Sequence, residues 1–146
     1  MKFILFDTYI STILSSIDSK MFKNCWFDDE EKKDVSKDGD LSCALYISSV
    51  LKMFDLIKDR HVTVSGTVKD LEHNGWEKIN ELKKGSILVW EKKLQSNNEW
   101  HKHLGFYIGD NEAISNSWKY KVPKKHHYTY DNTRKIETIY WNSRLD

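Results

Sequence analysis

Cys43 opens an amphipathic run, Cys-Ala-Leu-Tyr-Ile-Ser-Ser-Val-Leu, and sixty residues later His103 opens the apolar stretch His-Leu-Gly-Phe-Tyr-Ile-Gly. A thiol is an effective nucleophile only as thiolate, and a free pKa of about 8.5 leaves little of that form at neutral pH. A helix start favours the anion through its main-chain N–H groups and dipole, and a neighbouring imidazolium favours it further. The Cys43 main-chain N–H is also placed to hold a tetrahedral oxyanion, and His103 to protonate a leaving amine. The pair therefore reads as the nucleophile and general base of a cysteine hydrolase acting on amide bonds. Such a base needs a third polar group to fix its tautomer. Ala113-Ile-Ser-Asn-Ser117 is the stretch that returns beside His103, and strand alternation puts Ser115 on one face and Asn116 on the other. Asn116 is the expected orienter, because its amide oxygen accepts firmly from an imidazole N–H.

The elements that must position these groups are legible in outline. Ile47, Val50, Leu51, Phe54 and Ile57 form one apolar stripe at helical spacing. Asp40 is the expected N-cap, which would set Cys43 three positions into that helix. An earlier helix is expected within residues 4–22, where Ile4, Leu5, Ile10, Ile13, Leu14, Ile17 and Met21 recur. Residues 28–40 hold seven acids against three lysines and read as a charged loop. His61 to Ser65 reads as a short extended piece, and Val68 to Leu82 as a short helix broken near Asn74-Gly75. Strands are expected over 86–91, 104–108, 112–116 and 136–141, with Gly109-Asp-Asn111 as the turn of a hairpin. Helices first and a meander afterwards give an α+β fold, N-terminal helices packed on a small antiparallel sheet.

With 146 residues, one proline and no repeat or linker, the chain is expected to form a single domain over 1–146. A formal charge of +1 provides no strong field for nucleic acid or anionic membrane. Phe3-Ile-Leu-Phe6 is too short for a signal or membrane segment. Two cysteines, Cys25 and Cys43, are too few for a disulfide framework. A cytoplasmic protein is expected, with export by another route left open. Trp76, Trp90 and Trp118 are candidate walls of a groove, although packing is the commoner use of such residues.

Three stretches together resemble the NlpC/P60 group of papain-like cysteine peptidases, and more loosely the CHAP amidases. Asp40-Leu-Ser-Cys-Ala-Leu-Tyr-Ile-Ser-Ser-Val-Leu51 is similar to that family's nucleophile helix, and Leu82-Lys-Lys-Gly-Ser-Ile-Leu-Val-Trp90 to its Gly-Asp turn and following strand. His103-Leu-Gly-Phe-Tyr-Ile-Gly109 is similar to its catalytic-histidine strand. The resemblance covers 40–117. It implies a papain-like fold that cleaves amide bonds, often in peptidoglycan stem peptides, without metal or other cofactor, and it carries Cys43 and His103 over directly. The third family residue falls on Ser115 by strict spacing and on Asn116 with a one-residue slip. The chain departs from the family in reading Ser42-Cys43-Ala44 where Asp-Cys-Ser is usual, and Gly85-Ser86 where Gly-Asp is usual.

Two other constellations compete. His101-x-His103 would set two imidazoles on one strand face, and Cys43 with His126 or His127 could complete a zinc site, but the close ligand pairs of such sites are missing. Asp34, Ser36, Asp38 and Gly39 begin like a calcium loop, yet its twelfth position is Leu45 rather than a bidentate acid. Between Lys119 and Lys135 six basic residues stand against Asp131 alone, interleaved with Tyr120, Tyr128 and Tyr130, as on single-strand nucleic-acid platforms. A catalytically silent module binding nucleic acid or cell-wall fragments is the alternative to a hydrolase, which would take a peptide or peptidoglycan fragment.

Overall fold

The structure, a computed structural model, describes every residue of 1–146 except Ser96. In chain order its elements are α1 (Leu5–Ser15), β1 (Trp26–Asp29), β2 (Glu31–Asp34), α2 (Cys43–Lys52), α3 (Val64–His73), β3 (Trp76–Ile79), β4 (Ile87–Leu94), β5 (Trp100–Gly109), β6 (Glu112–Asn116), β7 (Pro123–His127) and β8 (Ile136–Asn142), closed by a 3-10 turn over Ser143–Leu145. The fold is α+β. The main sheet is antiparallel with strand order β3-β8-β4-β5-β6-β7, and β1 and β2 form a separate hairpin. Among the described residues, no helix is long and apolar enough to cross a membrane.

Alternation along the strands divides the sheet into two apolar faces. Ile87, Val89, Leu104, Phe106 and Ile114 point toward the helices and pack with Tyr9, Ile10 and Ile13 of α1 and Ile47, Val50 and Leu51 of α2. Leu88, Trp90, Tyr107 and Ala113 point the other way, beneath Leu82, Tyr128 and Tyr130. The Tyr9 hydroxyl donates to the Gly85 carbonyl at 2.7 Å, tying α1 to the turn before β4.

Several local expectations are corrected. The N-terminal helix stops at Ser15, and Asp18 turns the chain with φ 66°. The acidic stretch is a hairpin rather than a loop, with Glu30 at its tip in the left-handed region, φ 64°. Ser42, not Asp40, occupies the N-cap, so Cys43 is the first helical residue rather than the third. The stripe through Phe54 and Ile57 outlasts its helix. α2 ends at Lys52, Asp55 adopts φ 53°, and the turn that follows buries Leu56 and Ile57 in the same core. Val64 already belongs to α3, which Thr63 caps through Gly66 N–H.

The connection from α2 to α3 is held by Asp70, which is nearly buried. Its carboxylate accepts the Lys58 and Asp59 main-chain N–H groups at 2.9 and 3.0 Å, the His61 ring at 2.6 Å and the Asn74 amide at 2.6 Å. Burial alone would push this carboxyl up, but the His61 ring and the two N–H groups outweigh it and hold it low. This anchor sets α3 where its Val64, Ser65 and Val68 wall the groove described next.

Candidate active site

Cys43, His103, Ser115 and Asn116 all line one open groove of about 1490 Å³, together with Trp118, His126, Tyr130 and Arg134. α2, with Cys43 at its start, packs on the Leu104 and Phe106 face of β5 and on β6. His103, the fourth residue of β5, lies on the Trp90 face of that strand, and the groove touches both. Cys43 packs at the margin of the helix-side core. The N–H groups of α2's first turn lack intrahelical partners and are therefore free to act on an anion at Cys43.

His103 stands opposite Trp90 across the β4–β5 ladder, and its ring stacks on the indole with centroids 5.4 Å apart at 30°. Trp90 is fully buried, and its Nε1–H donates to the Tyr128 carbonyl at 2.7 Å. Gly105 explains how so large a side chain fits. A Cβ at this position would lie 2.6 Å from the indole Cζ3 and Cη2 and 3.0 Å from the Ile114 carbonyl oxygen. The glycine in the His-Leu-Gly-Phe-Tyr motif thus makes the floor on which the histidine rests. Gly105→Ala is expected to destabilise the protein by about 2 kcal/mol through overpacking and to lift Trp90 from beneath His103. Thermal unfolding and the near-ultraviolet circular dichroism of the tryptophans check both effects.

Neither expected orienter reaches the His103 ring. Asn116 is buried on the opposite strand face, and its Nδ2 donates to the Gly39 carbonyl at 2.9 Å. Its contribution is to pin the loop that leads into Cys43, which corrects its assignment as the group that fixes the histidine tautomer. Ser115 is on the His103 side but is fully engaged. The His126 Nδ1–H donates to the His127 carbonyl at 2.7 Å, which leaves Nε2 as an acceptor in the neutral ring. Ser115 Oγ therefore donates to His126 Nε2 at 2.7 Å and accepts from the Tyr130 hydroxyl at 2.9 Å. The His126 and Tyr130 rings stack at 3.9 Å and 14°. Among the described residues the His103 ring has no hydrogen-bond partner, Cys43 Sγ included, so its orientation comes from the stack on Trp90.

The electrostatics differ from the sequence expectation. Burial pushes the Cys43 thiol up, against the main-chain N–H groups of Leu104 and Ala44 and the charge of Arg134. Burial also takes the His103 imidazole down to about 3, helped by Arg134 and His126. The resting pair is thus a thiol and a neutral imidazole, where a thiolate and an imidazolium were expected. Burial likewise lowers His126 and lifts the Tyr130 hydroxyl to about 12.

A stability prediction follows from His103. At a pH between its folded value of about 3 and the ordinary 6.5, the unfolded chain holds a proton that the folded chain lacks. Stability therefore falls as pH drops through that window, by up to about 1.4 kcal/mol per pH unit for this group. His126 adds to the loss with the same sign. Urea midpoints measured at about pH 7 and about pH 5 are expected to fall less in His103→Gln than in wild type, and an equal fall in both would refute the assignment.

Arg134 and Tyr130 were not singled out from the sequence as neighbours of the thiol, whereas His126 was weighed beside Cys43 as an alternative zinc ligand. Arg134 sits in a lysine-rich stretch where a charge reads as solvated, and the signal that it is different is Tyr130 nearby in an otherwise polar loop. Of the tryptophans, Trp76 belongs to the core and donates to the Leu56 carbonyl, Trp90 floors the site, and Trp118 is exposed on the groove wall. Among the described residues no group of three or more His, Cys, Asp or Glu side chains is placed to hold a metal ion, and Cys25 and Cys43 are both free thiols. No protein-family model matches the chain, and no curated protein matches it.

Proposed function

We propose that this chain is a cysteine hydrolase with a papain-like fold of the NlpC/P60 kind, formed as one domain, that cleaves amide or peptide bonds with Cys43 as nucleophile and His103 as general base and acid. The observation that carries the reading is that Cys43, as the first residue of α2, lines the same groove as His103 of β5. A peptide, or a fragment of peptidoglycan, is the substrate that the resemblance of the three motifs supports, and the two free thiols favour a reducing compartment.

The chemistry starts from neutral groups. As Sγ attacks the scissile carbonyl carbon, His103 takes the thiol proton and the carbonyl π pair moves onto oxygen. The main-chain N–H of Cys43 holds that oxyanion. Collapse of the tetrahedral adduct breaks the C–N bond, and the imidazolium returns its proton to the departing amine. Water, deprotonated by His103, then attacks the thioester and releases the acid and the thiol. The imidazole is neutral and so able to accept, but burial weakens it as a base while raising the thiol. This proton transfer is therefore the uphill part of the first step, and the Arg134 charge supports the thiolate that forms transiently.

The test is amine release from a panel of peptides and peptidoglycan fragments, followed by mass spectrometry in wild type, Cys43→Ala and His103→Ala. Release by the wild type alone supports the reading. Release that survives in Cys43→Ala, or none from any member of the panel, sinks it.

A further inference from the structure

Arg134 is buried, with 9% of its surface exposed, and its side chain lines the groove that holds Cys43. Its Nε–H donates to the Glu91 carbonyl at 2.9 Å and its Nη2–H to the His101 carbonyl at 2.7 Å. Those are neutral acceptors. Among the described residues no carboxylate lies within salt-bridge distance of the guanidinium, and the carboxylate of Glu91 instead accepts the Lys135 main-chain N–H at 3.0 Å. The Glu91 carboxylate acts on this cation only from longer range. A buried cation with no carboxylate in direct contact is costly, so its retention in a cavity points to an anion that arrives from outside. The two carbonyls fix the planar guanidinium while leaving Nη1 free, an arrangement suited to an incoming carboxylate.

The groove walls lean the same way. Lys69, Lys78, Lys92, Lys93 and Lys119 line it with no carboxylate partner within 4 Å among the described residues, whereas Lys102, Lys124 and Lys125 are paired with Glu137, Asp18 and Glu112. The acids of the groove lining are Asp40 and Glu72. The near-neutral total of the chain conceals this asymmetry, because many of its acids lie in the β1–β2 hairpin and the loop after it.

We infer that the groove selects substrates carrying carboxylates beside the scissile amide, with Arg134 as the residue that seats one of them next to Cys43 and the unpaired lysines as the rim that draws acidic peptides in. The inference rests on the hydrolase reading for its substrate being a peptide, and its test is independent of turnover. Full-length Cys43→Ala protein is titrated against a fluorescent oligoglutamate peptide, an oligoglutamine peptide of the same length and an oligothymidylate of equal charge, read by anisotropy at low and high salt. The oligoglutamate is expected to bind at least roughly tenfold more tightly than the oligoglutamine. That preference should shrink by about tenfold in Arg134→Met, recover in part in Arg134→Lys, and weaken with salt and in the exposed-rim variant Lys92→Gln/Lys93→Gln.

Equal affinity for the two peptides, an unchanged preference in Arg134→Met, or tighter binding of the oligothymidylate would each overturn the inference. The rim variant and the salt series decide the matter even where Arg134→Met fails to fold, since indifference to both would also overturn it. Failure of the hydrolase reading is seen elsewhere, in the release of amines by wild-type protein, and leaves these affinities unaffected.

Discussion

Cys43→Ala is expected to lower amide hydrolysis by about 10³-fold or more while leaving thermal unfolding nearly unchanged. The thiol donates no hydrogen bond that the fold depends on, and losing one sulfur at the margin of the core removes little apolar contact. His103→Ala is expected to cost about 10²–10⁴-fold, the usual contribution of a positioned base, and to lower kcat rather than raise KM. The two losses should not add, because base and nucleophile act in one step. A double variant no slower than Cys43→Ala alone checks the coupling. The pH profile is a second check. A resting thiol beside a neutral imidazole should gain alkylation rate toward alkaline pH, whereas a preformed thiolate–imidazolium pair would react well below the ordinary thiol pKa.

Gly39→Ala is expected to cost roughly 3 kcal/mol and most of the activity. Gly39 is buried with φ 93°, a left-handed conformation that side chains disfavour, and an added Cβ would overlap the Lys121 carbonyl oxygen. That atom is backbone and cannot rotate away, so the loop itself must move. The Gly39 carbonyl is also the acceptor for Asn116 Nδ2, and Cys43 begins its helix four residues later. Displacing the loop therefore displaces Cys43. Asn116→Ala separates the two causes, since it deletes the hydrogen bond without a clash and should cost about 1–3 kcal/mol. An active, fully stable Gly39→Ala protein would show that the loop has room that this packing denies.

The sequence revealed the parts of the fold whose pattern is driven by burial. The β5–β6 hairpin was legible because Leu104, Phe106 and Ile114 alternate toward one core and Gly109-Asp110-Asn111 supplies left-handed turn residues. The β7 strand was not legible, since Pro-Lys-Lys-His-His at the sheet edge has no apolar alternation and pairs through backbone alone. The β1–β2 hairpin was hidden for the same reason, its side chains being mostly charged and exposed. α2 was read too long because apolar burial continues through Leu56 and Ile57 after the helical hydrogen bonding has stopped. In the site, Cys43 and His103 were singled out because Cys43 begins the amphipathic run of α2 and His103 immediately precedes the apolar alternation of β5. The choice between Ser115 and Asn116 turned on which strand face meets which core, and that depends on partners far away in sequence. Arg134 was missed because what distinguishes it, burial without a carboxylate, is a property of the folded surroundings alone.

The bond from Asn116 to Gly39 spans 77 positions of sequence, and that has a temporal meaning. A chain made from its N-terminus exposes the thiol of Cys43 to the cell well before β6 has been synthesised, and Arg134 follows later still. Until then the loop ahead of the cysteine lacks its anchor and the histidine strand its neighbours. The nascent protein thus carries an ordinary cysteine, and the groove around it is completed only once β6 and the residues through Arg134 have emerged.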